Sequence, residues 1–280
     1  MIRYIEMKAP AKINIGLNIV EKRNDGFHNL ETFFYPINDL HDKLYFNLSD
    51  QFSFTCNEDS ISSYSENICV KAVHLLETRF NRKFGVTVKL GKNIPMGAGM
   101  GGGSSDAAAV LLAINDMFHL RLSFQELSEL ALELGSDVPF FLKAKPAVGK
   151  SRGEVLELVD FEIKEPILIV NPGIHISTKE AFSKIAPKKN QFNYIKFFSS
   201  EISDYSDFNG VIINDFEKPI FGLYPKISEI KNILDNLGAV FSQMTGTGST
   251  VYGIFDSLET AELAKSKLPK EYFSFISKNE

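Results

Sequence analysis

One segment constrains this chain more than any other: Pro95-Met96-Gly97-Ala98-Gly99-Met100-Gly101-Gly102-Gly103-Ser104-Ser105. Five of the 19 glycines in 280 residues fall between Gly97 and Gly103, although glycine is no more abundant overall than in an average protein. Glycine lets the backbone turn its N–H groups toward a ligand with no Cβ in the way. The apolar run after it, to about residue 118, predicts a helix capped by Ser104 or Ser105. A strand over 86–90, a glycine loop and a helix N-terminus make an anion site, most often for phosphate. The free amides point at the ligand, and the helix dipole favours negative charge. Ser104 and Ser105 add hydroxyls for a phosphate oxygen or for Mg²⁺.

The alternatives fit less well. Gly97-x-Gly99-x-x-Gly102 matches the dinucleotide fingerprint in letters, but no acidic strand-end residue stands about 20 residues on. A P-loop needs lysine before the hydroxyl residue, and here Ser104 comes directly after glycine. The HRD and DFG motifs of protein kinases are absent. A flexible linker would not run into a capped apolar helix.

Composition narrows the class further. Lys and Arg number 30 against 35 Asp and Glu, a net charge of -5, whereas a nucleic-acid coat protein carries a basic excess. A hydrophobic fraction of 44% with 23% charged residues is that of a globular protein, not a disordered or coiled-coil one. Cys56 and Cys69 form no CxxC and read as reduced thiols. The first residues lack a secretion pattern, and no window reaches the ~18 apolar residues of a membrane helix. A cytoplasmic protein with neither nucleic acid nor membrane as partner is expected. With 24 phenylalanines and no tryptophan, the core should be phenylalanine-rich.

Strand patterns cover 8–20 and 27–35, separated by the Asn24-Asp25-Gly26 turn, then 43–48, 51–56, 86–90, 155–158, 167–170, 240–244, 251–255 and 272–276. Helical spacing covers 67–82, 123–135 (opened by a Ser123–Glu126 capping box), 214–220, 225–237 and 258–268. The polar stretch 184–207, with its Lys188-Lys189-Asn190 run, reads as a variable surface. Strands and helices lack a regular βαβ beat, which predicts two α+β lobes over a doubly wound sheet.

Two outer motifs complete the pattern. Ala9-Pro-Ala-Lys-Ile-Asn-Ile-Gly16 places Lys12 and Asn14 on one face of a strand. Met244-Thr-Gly-Thr-Gly-Ser-Thr250 is a second glycine turn, read alone as either a tight hairpin or a site. Both glycine turns are expected to present backbone to ligand. The three motifs, in this order, resemble the GHMP family of small-molecule kinases. Four further segments resemble one branch of it: Arg23-Asn-Asp-Gly-Phe-His-Asn-Leu30, Leu134-Gly-Ser-Asp-Val-Pro-Phe-Phe141, Arg152-Gly-Glu154 and Asn214-Asp-Phe-Glu217. Members acting on homoserine, mevalonate or sugars lack the first, and a non-catalytic relative should have lost Lys12 or Asp137.

The resemblance implies an α+β fold with a ribosomal-S5-like ATP-binding lobe over 1–155. A ferredoxin-like lobe over 156–280 contributes to the substrate site, with the active site between them. It implies transfer of the ATP γ-phosphoryl group, with Mg²⁺, to a hydroxyl of a small molecule carrying a cytidine diphosphate group, on the route to isopentenyl diphosphate. It also implies a monomer or weak homodimer.

By the same resemblance Asp137 is the base and Lys12 its partner. Residues 95–105 hold phosphate, Asn67 and Lys92 line the adenine pocket, and Asn14, Phe27, His28, Thr178 and Phe182 bind the other substrate. Tyrosine is commoner in the family at Phe27; stacking survives that change. The residues by themselves leave other readings open. Asp137 and Asn67 could each cap a helix, Lys92 could be a solvated loop charge, and Phe27 and Phe182 could be core residues.

Overall fold

The computed structural model describes residues 2–58, 66–188, 192–200, 202 and 204–278. Lys189 and Asn190 of the basic run lie outside them. The chain divides into two compact units, each built from separated segments. The first takes the chain up to Ala11, then Leu40–Met96 and Gly101–Ala144; the second takes Lys12–Asp39, Gly97–Met100 and everything from Lys145 on. This spatial division interleaves, whereas the functional lobes expected over 1–155 and 156–280 run in chain order.

Two long strands, β1 (Tyr4–Lys22) and β2 (His28–Leu48), pass through both units. The expected strands 27–35 and 43–48 are thus one element. In the first unit β2 pairs antiparallel with β4 (Val86–Gly91), and β4 pairs parallel with β3 (Ser53–Cys56). Of the face that spacing predicts for helix α1 (Ile68–Phe80), Val70, Val73 and Leu76 are buried and Phe80 is half-buried at the helix end; the helix packs on α2 (Gly102–Met117). Helix α3 (Phe124–Leu134) opens with the predicted capping box, both reciprocal bonds formed, and ends at Gly135. The short α4 (Val138–Phe141) comes next.

Helix α2 starts earlier than expected. Its N-cap is Gly101, at φ 71°, with no side-chain cap. Ser104 and Ser105 therefore lie inside the first turn instead of capping it, because only glycine enters that left-handed conformation cheaply.

In the second unit β2 pairs with β5 (Ala147–Lys150), and β5 with β6 (Val155–Leu158). A separate antiparallel sheet contains β7 (Ile167–Asn171), β8 (Ala239–Met244), β9 (Val251–Phe255) and β10 (Phe273–Ser277) in the order β10-β7-β9-β8. Fourth-first-third-second is the ferredoxin-like order, as expected. Between β7 and β8 come α5 (Thr178–Ser183), α6 (Tyr194–Phe198), α7 (Glu217–Leu223) and α8 (Pro225–Asn236); α9 (Leu258–Ser266) precedes β10. Residues 214–216, expected as helix, instead lie beside β1: Leu17 N–H donates to Ile213 O, and Leu17 O accepts from Asp215 N–H, both at 2.8 Å.

The core is phenylalanine-rich, with Phe33, Phe198, Phe208, Phe216 and Phe255 all fully buried in this unit. Phe198 stacks on Phe33 at 3.8 Å between centroids, so part of the polar 184–207 stretch is core, not variable surface. Cys56 and Cys69 are unpaired. Among the described residues no helix is long and apolar enough to cross a membrane.

Candidate active site

The three motifs that the sequence scatters over 240 positions meet within the second unit. Lys12 is almost fully buried, and its ammonium donates to Asn14 Oδ1 at 2.5 Å and to the Gly99 carbonyl at 2.8 Å. Thr245 joins all three segments: its hydroxyl accepts from Asn14 N at 2.9 Å and donates toward Gly99 O at 3.4 Å. Backbone bonds fasten the loop at two more points, Lys12 N to Met100 O at 3.0 Å and Thr250 N to Ala98 O at 3.4 Å. Gly99 stands at φ +78°, and a Cβ there would lie 2.5 Å from Thr245 O. Any other residue at this point would force loop and turn apart.

Asn14 is more engaged than a free substrate ligand. Its carbonyl accepts from Lys12, and its amide donates to Thr32 Oγ1 at 2.9 Å. One amide hydrogen remains beyond the Thr32 bond. The second glycine turn is also engaged with protein. Asn214 Nδ2 donates to Met244 O at 2.6 Å and to Gly246 O at 2.9 Å. Asn171 Nδ2 donates to the Ser249 and Thr250 hydroxyls at 3.1 and 2.9 Å. Glu217 accepts from Met244 N at 2.8 Å, and Asp215 from Ile19 N at 2.7 Å. The Asn214–Glu217 segment is thus a clamp on the turn and on β1.

Beyond the first glycine loop, α2 opens with amides that have no intrahelical partner. Ser104 is half-buried and Ser105 buried; Ser105 Oγ has no hydrogen-bond partner. Pro95 leads in, Met96 is exposed, and Gly97 lies under the His175 ring, whose Nδ1 would be 2.6 Å from a Cβ. Gly103 is exposed.

Asp137, in the first unit, has helical backbone angles and makes no capping bond to α4, so the helix-cap reading of this residue does not hold. Asn67 does cap α1, its Oδ1 accepting from Cys69 N at 2.8 Å. Lys92 is not a solvated charge. Its side chain is 6% exposed and paired with Asp42 and Asp106, the latter at 2.8 Å. Burial alone would lower its pKa, but the two carboxylates raise it. Asp106 is pushed up to about 7 by burial and by Asp42, against the pull of Lys92. Asp42 and Asp106 carry no motif signal; only their buried ion pairing exposes them.

The 23–30 segment folds onto 151–154. Arg23 pairs with Asp25 at 2.8 Å, and its hydrogen bond holds the Asp25 carboxyl below the usual range. Arg23 also donates to Ser151 Oγ at 3.0 Å, and Glu154 accepts from Ser151 Oγ and Arg152 N. Phe27 is 48% exposed with the Arg152 guanidinium 3.8 Å over its ring, so it is not a core residue. His28 stacks on Phe182 at 5.0 Å, and Phe182 packs edge-on to the buried Phe216. Burial and Lys22 lower the His28 pKa, which favours a neutral ring. Thr178 is exposed at the start of α5.

Residues 67–145 match the family model described as GHMP kinases N terminal domain, and 199–274 the one described as GHMP kinases C terminal. A protein of Bacteroides fragilis named 4-diphosphocytidyl-2-C-methyl-D-erythritol kinase is 40% identical over 89% of this chain and 91% of its own. One of the same name from Chlorobium phaeobacteroides (strain BS1) is 38% identical over 97% and 96%. A crystal structure of 4-(cytidine 5'-diphospho)-2C-methyl-D-erythritol kinase superposes with a TM-score of 0.78 at 29% identity, covering 97% of this chain and 98% of the other. Homoserine kinase from Cytophaga hutchinsonii shares the fold, with a TM-score of 0.75 at 16% identity over 99% and 95%. With both family models matched in chain order and relatives that span most of both chains, this chain belongs to the GHMP family of small-molecule kinases, which take their phosphoryl group from ATP.

Proposed function

We propose that this chain transfers the γ-phosphoryl group of ATP to the 2-hydroxyl of 4-diphosphocytidyl-2-C-methyl-D-erythritol, on the non-mevalonate route to isopentenyl diphosphate. One observation favours this substrate over a non-nucleotide alcohol. The 23–30 segment is folded so that Phe27 is exposed and His28 stacks on Phe182 from a segment about 150 residues away. Such an aromatic surface with a neutral imidazole suits a pyrimidine base, and base–aromatic stacking contributes ~1–3 kcal/mol. Thr178, one turn before Phe182, adds a hydroxyl to that side of the site.

Phosphoryl transfer asks for positioning, charge neutralisation and an acceptor for the hydroxyl proton. The loop 95–105 and the amides of α2 hold the phosphate chain, with Asn67 and Lys92 toward the adenine. Lys12, fixed by Asn14 and Gly99, stabilises negative charge that builds on the transferred group. Asp137 orients the acceptor hydroxyl and takes its proton; general-base help of this kind is typically ~10²–10⁴-fold.

No group of three or more His, Cys, Asp or Glu among the described residues could cage a metal. The orphaned Ser105 hydroxyl fits Mg²⁺ held mainly by phosphates and water. Bound there, Mg²⁺ supplies charge neutralisation to the phosphates. Residues 1–155 form the ATP lobe, and 156–280 contribute to the substrate site. ATP as donor supports a reaction in the cytoplasm, and we take the enzyme to work as a monomer or weak homodimer.

The test is phosphoryl transfer from Mg·ATP to the cytidine substrate, beside homoserine, mevalonate and galactose. Turnover with the cytidine substrate alone is expected; turnover confined to a non-nucleotide alcohol overturns the reading.

A further inference from the structure

Asp42 on β2, Lys92 after β4 and Asp106, the fifth residue of α2, form a charged cluster with side-chain exposures of 0%, 6% and 3%. Asp42 Oδ2 pairs with the Lys92 ammonium, while its Oδ1 accepts from Asn93 N at 2.6 Å and from Ile94 N at 2.9 Å. Three consecutive residues are therefore tied to one carboxylate, and the next residue is Pro95, where the glycine loop begins. Asn57 holds Lys92 from the other side, accepting from its N–H at 2.7 Å and donating to its carbonyl at 3.4 Å. Asp106 Oδ2 accepts from the ammonium at 2.8 Å. The result is a lysine nitrogen that would stand only 3.2 Å from a Cβ at Gly102, the first residue of α2.

We infer that Asp42 and Asp106 are positioning residues for nucleotide binding: together they fix the Lys92 ammonium at the start of α2, and Asp42 also fixes the two residues that lead into the loop. The inference rests on the reading that the loop and α2 hold ATP. A free lysine side chain samples many rotamers, and a free loop many conformations. Held in place before the ligand arrives, they lose less entropy on binding. Removing one charge from a buried group leaves its partner uncompensated, whereas neutralising the whole group is generally tolerated. A cluster that only stabilised the fold could therefore be neutralised with no effect on nucleotide affinity.

The experiment uses Asp42→Asn, Asp106→Asn and the charge-free triple variant D42N/K92M/D106N, which remains informative if a single variant fails to fold. Each is titrated with Mg·ATP at equilibrium and assayed with the cytidine substrate. Asp42→Asn should weaken Mg·ATP binding and raise its KM by ~10-fold or more, and Asp106→Asn by ~3-fold, with kcat and the cytidine-substrate KM within about two-fold of wild type; the triple variant, which also lacks the Lys92 ammonium, should bind Mg·ATP no more tightly than Asp42→Asn. Wild-type Mg·ATP affinity in the folded triple variant overturns the inference, as does an equal change in every kinetic constant. The equilibrium titration separates the two readings. Wild-type protein that binds ATP but transfers nothing breaks the functional reading alone, and the variants' dissociation constants still decide this one. Wild-type protein that does not bind ATP breaks both.

Discussion

Between Gly97 and Gly103 the chain runs from a loop into a 16-residue helix; between Gly246 and Gly248 it turns from β8 to β9. In composition the two segments are alike. In surroundings they differ. The first ends in helical amides that have no partner within the helix, and in a buried serine hydroxyl with no partner at all. The second has Thr245, Ser249 and Thr250 fully buried, with its carbonyls and hydroxyls bonded to Asn214, Asn171 and Ile174. Glycine density does not by itself mark ligand-facing backbone. The element on the far side of the glycines differs: a helix leaves its first amides without intrahelical partners, whereas the hairpin has its Met244 and Gly246 carbonyls and its Ser249 and Thr250 hydroxyls bonded to protein. In the function we propose, the first segment is the phosphate cradle and the second the clamp that holds Lys12, Asn14 and Gly99 in register.

The sharpest test of that contrast lies on the loop side. Lys12→Met and Asp137→Asn should each lower turnover by at least ~100-fold with circular dichroism close to wild type, although Lys12→Met, which takes the donor from Asn14 Oδ1 and Gly99 O, should also lower the melting temperature. Near-normal turnover in either purified protein removes it from the catalytic pair.

Gly99→Ala tests the point where the two segments touch. A left-handed backbone and a Cβ against the Thr245 carbonyl should together destabilise by ~2–4 kcal/mol in urea unfolding. An unchanged midpoint would show that loop and turn are not pressed together.

On the clamp side, Asn214→Ala leaves the Met244 and Gly246 carbonyls without their donor. It should cost ~1–3 kcal/mol of stability while the Mg·ATP KM stays within about two-fold. A large rise in KM with normal stability would reverse the roles assigned to the two glycine segments.

The smallest effect is in pH. Burial raises the Glu217 pKa above the ordinary 4.5, although the Met244 N–H it accepts pulls the other way. The folded chain therefore holds this proton more tightly than the unfolded chain. The contribution of this group to stability is complete below 4.5 and declines as pH climbs through the raised folded value. Glu217→Gln, which keeps an acceptor for Met244, should flatten the stability–pH slope between 4.5 and the raised folded value; parallel slopes in the two proteins would exclude the effect.

Local signals were legible. Ser123 and Glu126 are three residues apart and bond each other, so the start of α3 needed no tertiary information. The face of α1 came from Val70, Val73 and Leu76 in the same way. Non-local features were not legible. Strand β2 reads as two strands because Pro36, Asn38 and Asp39 carry turn chemistry, but pairing to β5 and β4 on either side holds the chain extended. Strand β5 is four residues with a glycine, too short for an alternation pattern. Lys92 resembles any loop lysine until Asp42, fifty residues upstream, is brought against it.

By itself the sequence determined the family, the order of its three glycine and lysine motifs, and which side chains have the right chemistry. Each of those is carried by residue type and short spacing. Only the tertiary structure decided that Gly101 and not a serine opens α2, that Asp137 leaves its helix uncapped, that the second glycine turn faces inward, and that Lys92 is held by two aspartates. Those outcomes depend on which distant groups share a buried space. There an unpaired charge or hydrogen-bonding group costs several times what it costs in water, and that penalty selects the partners.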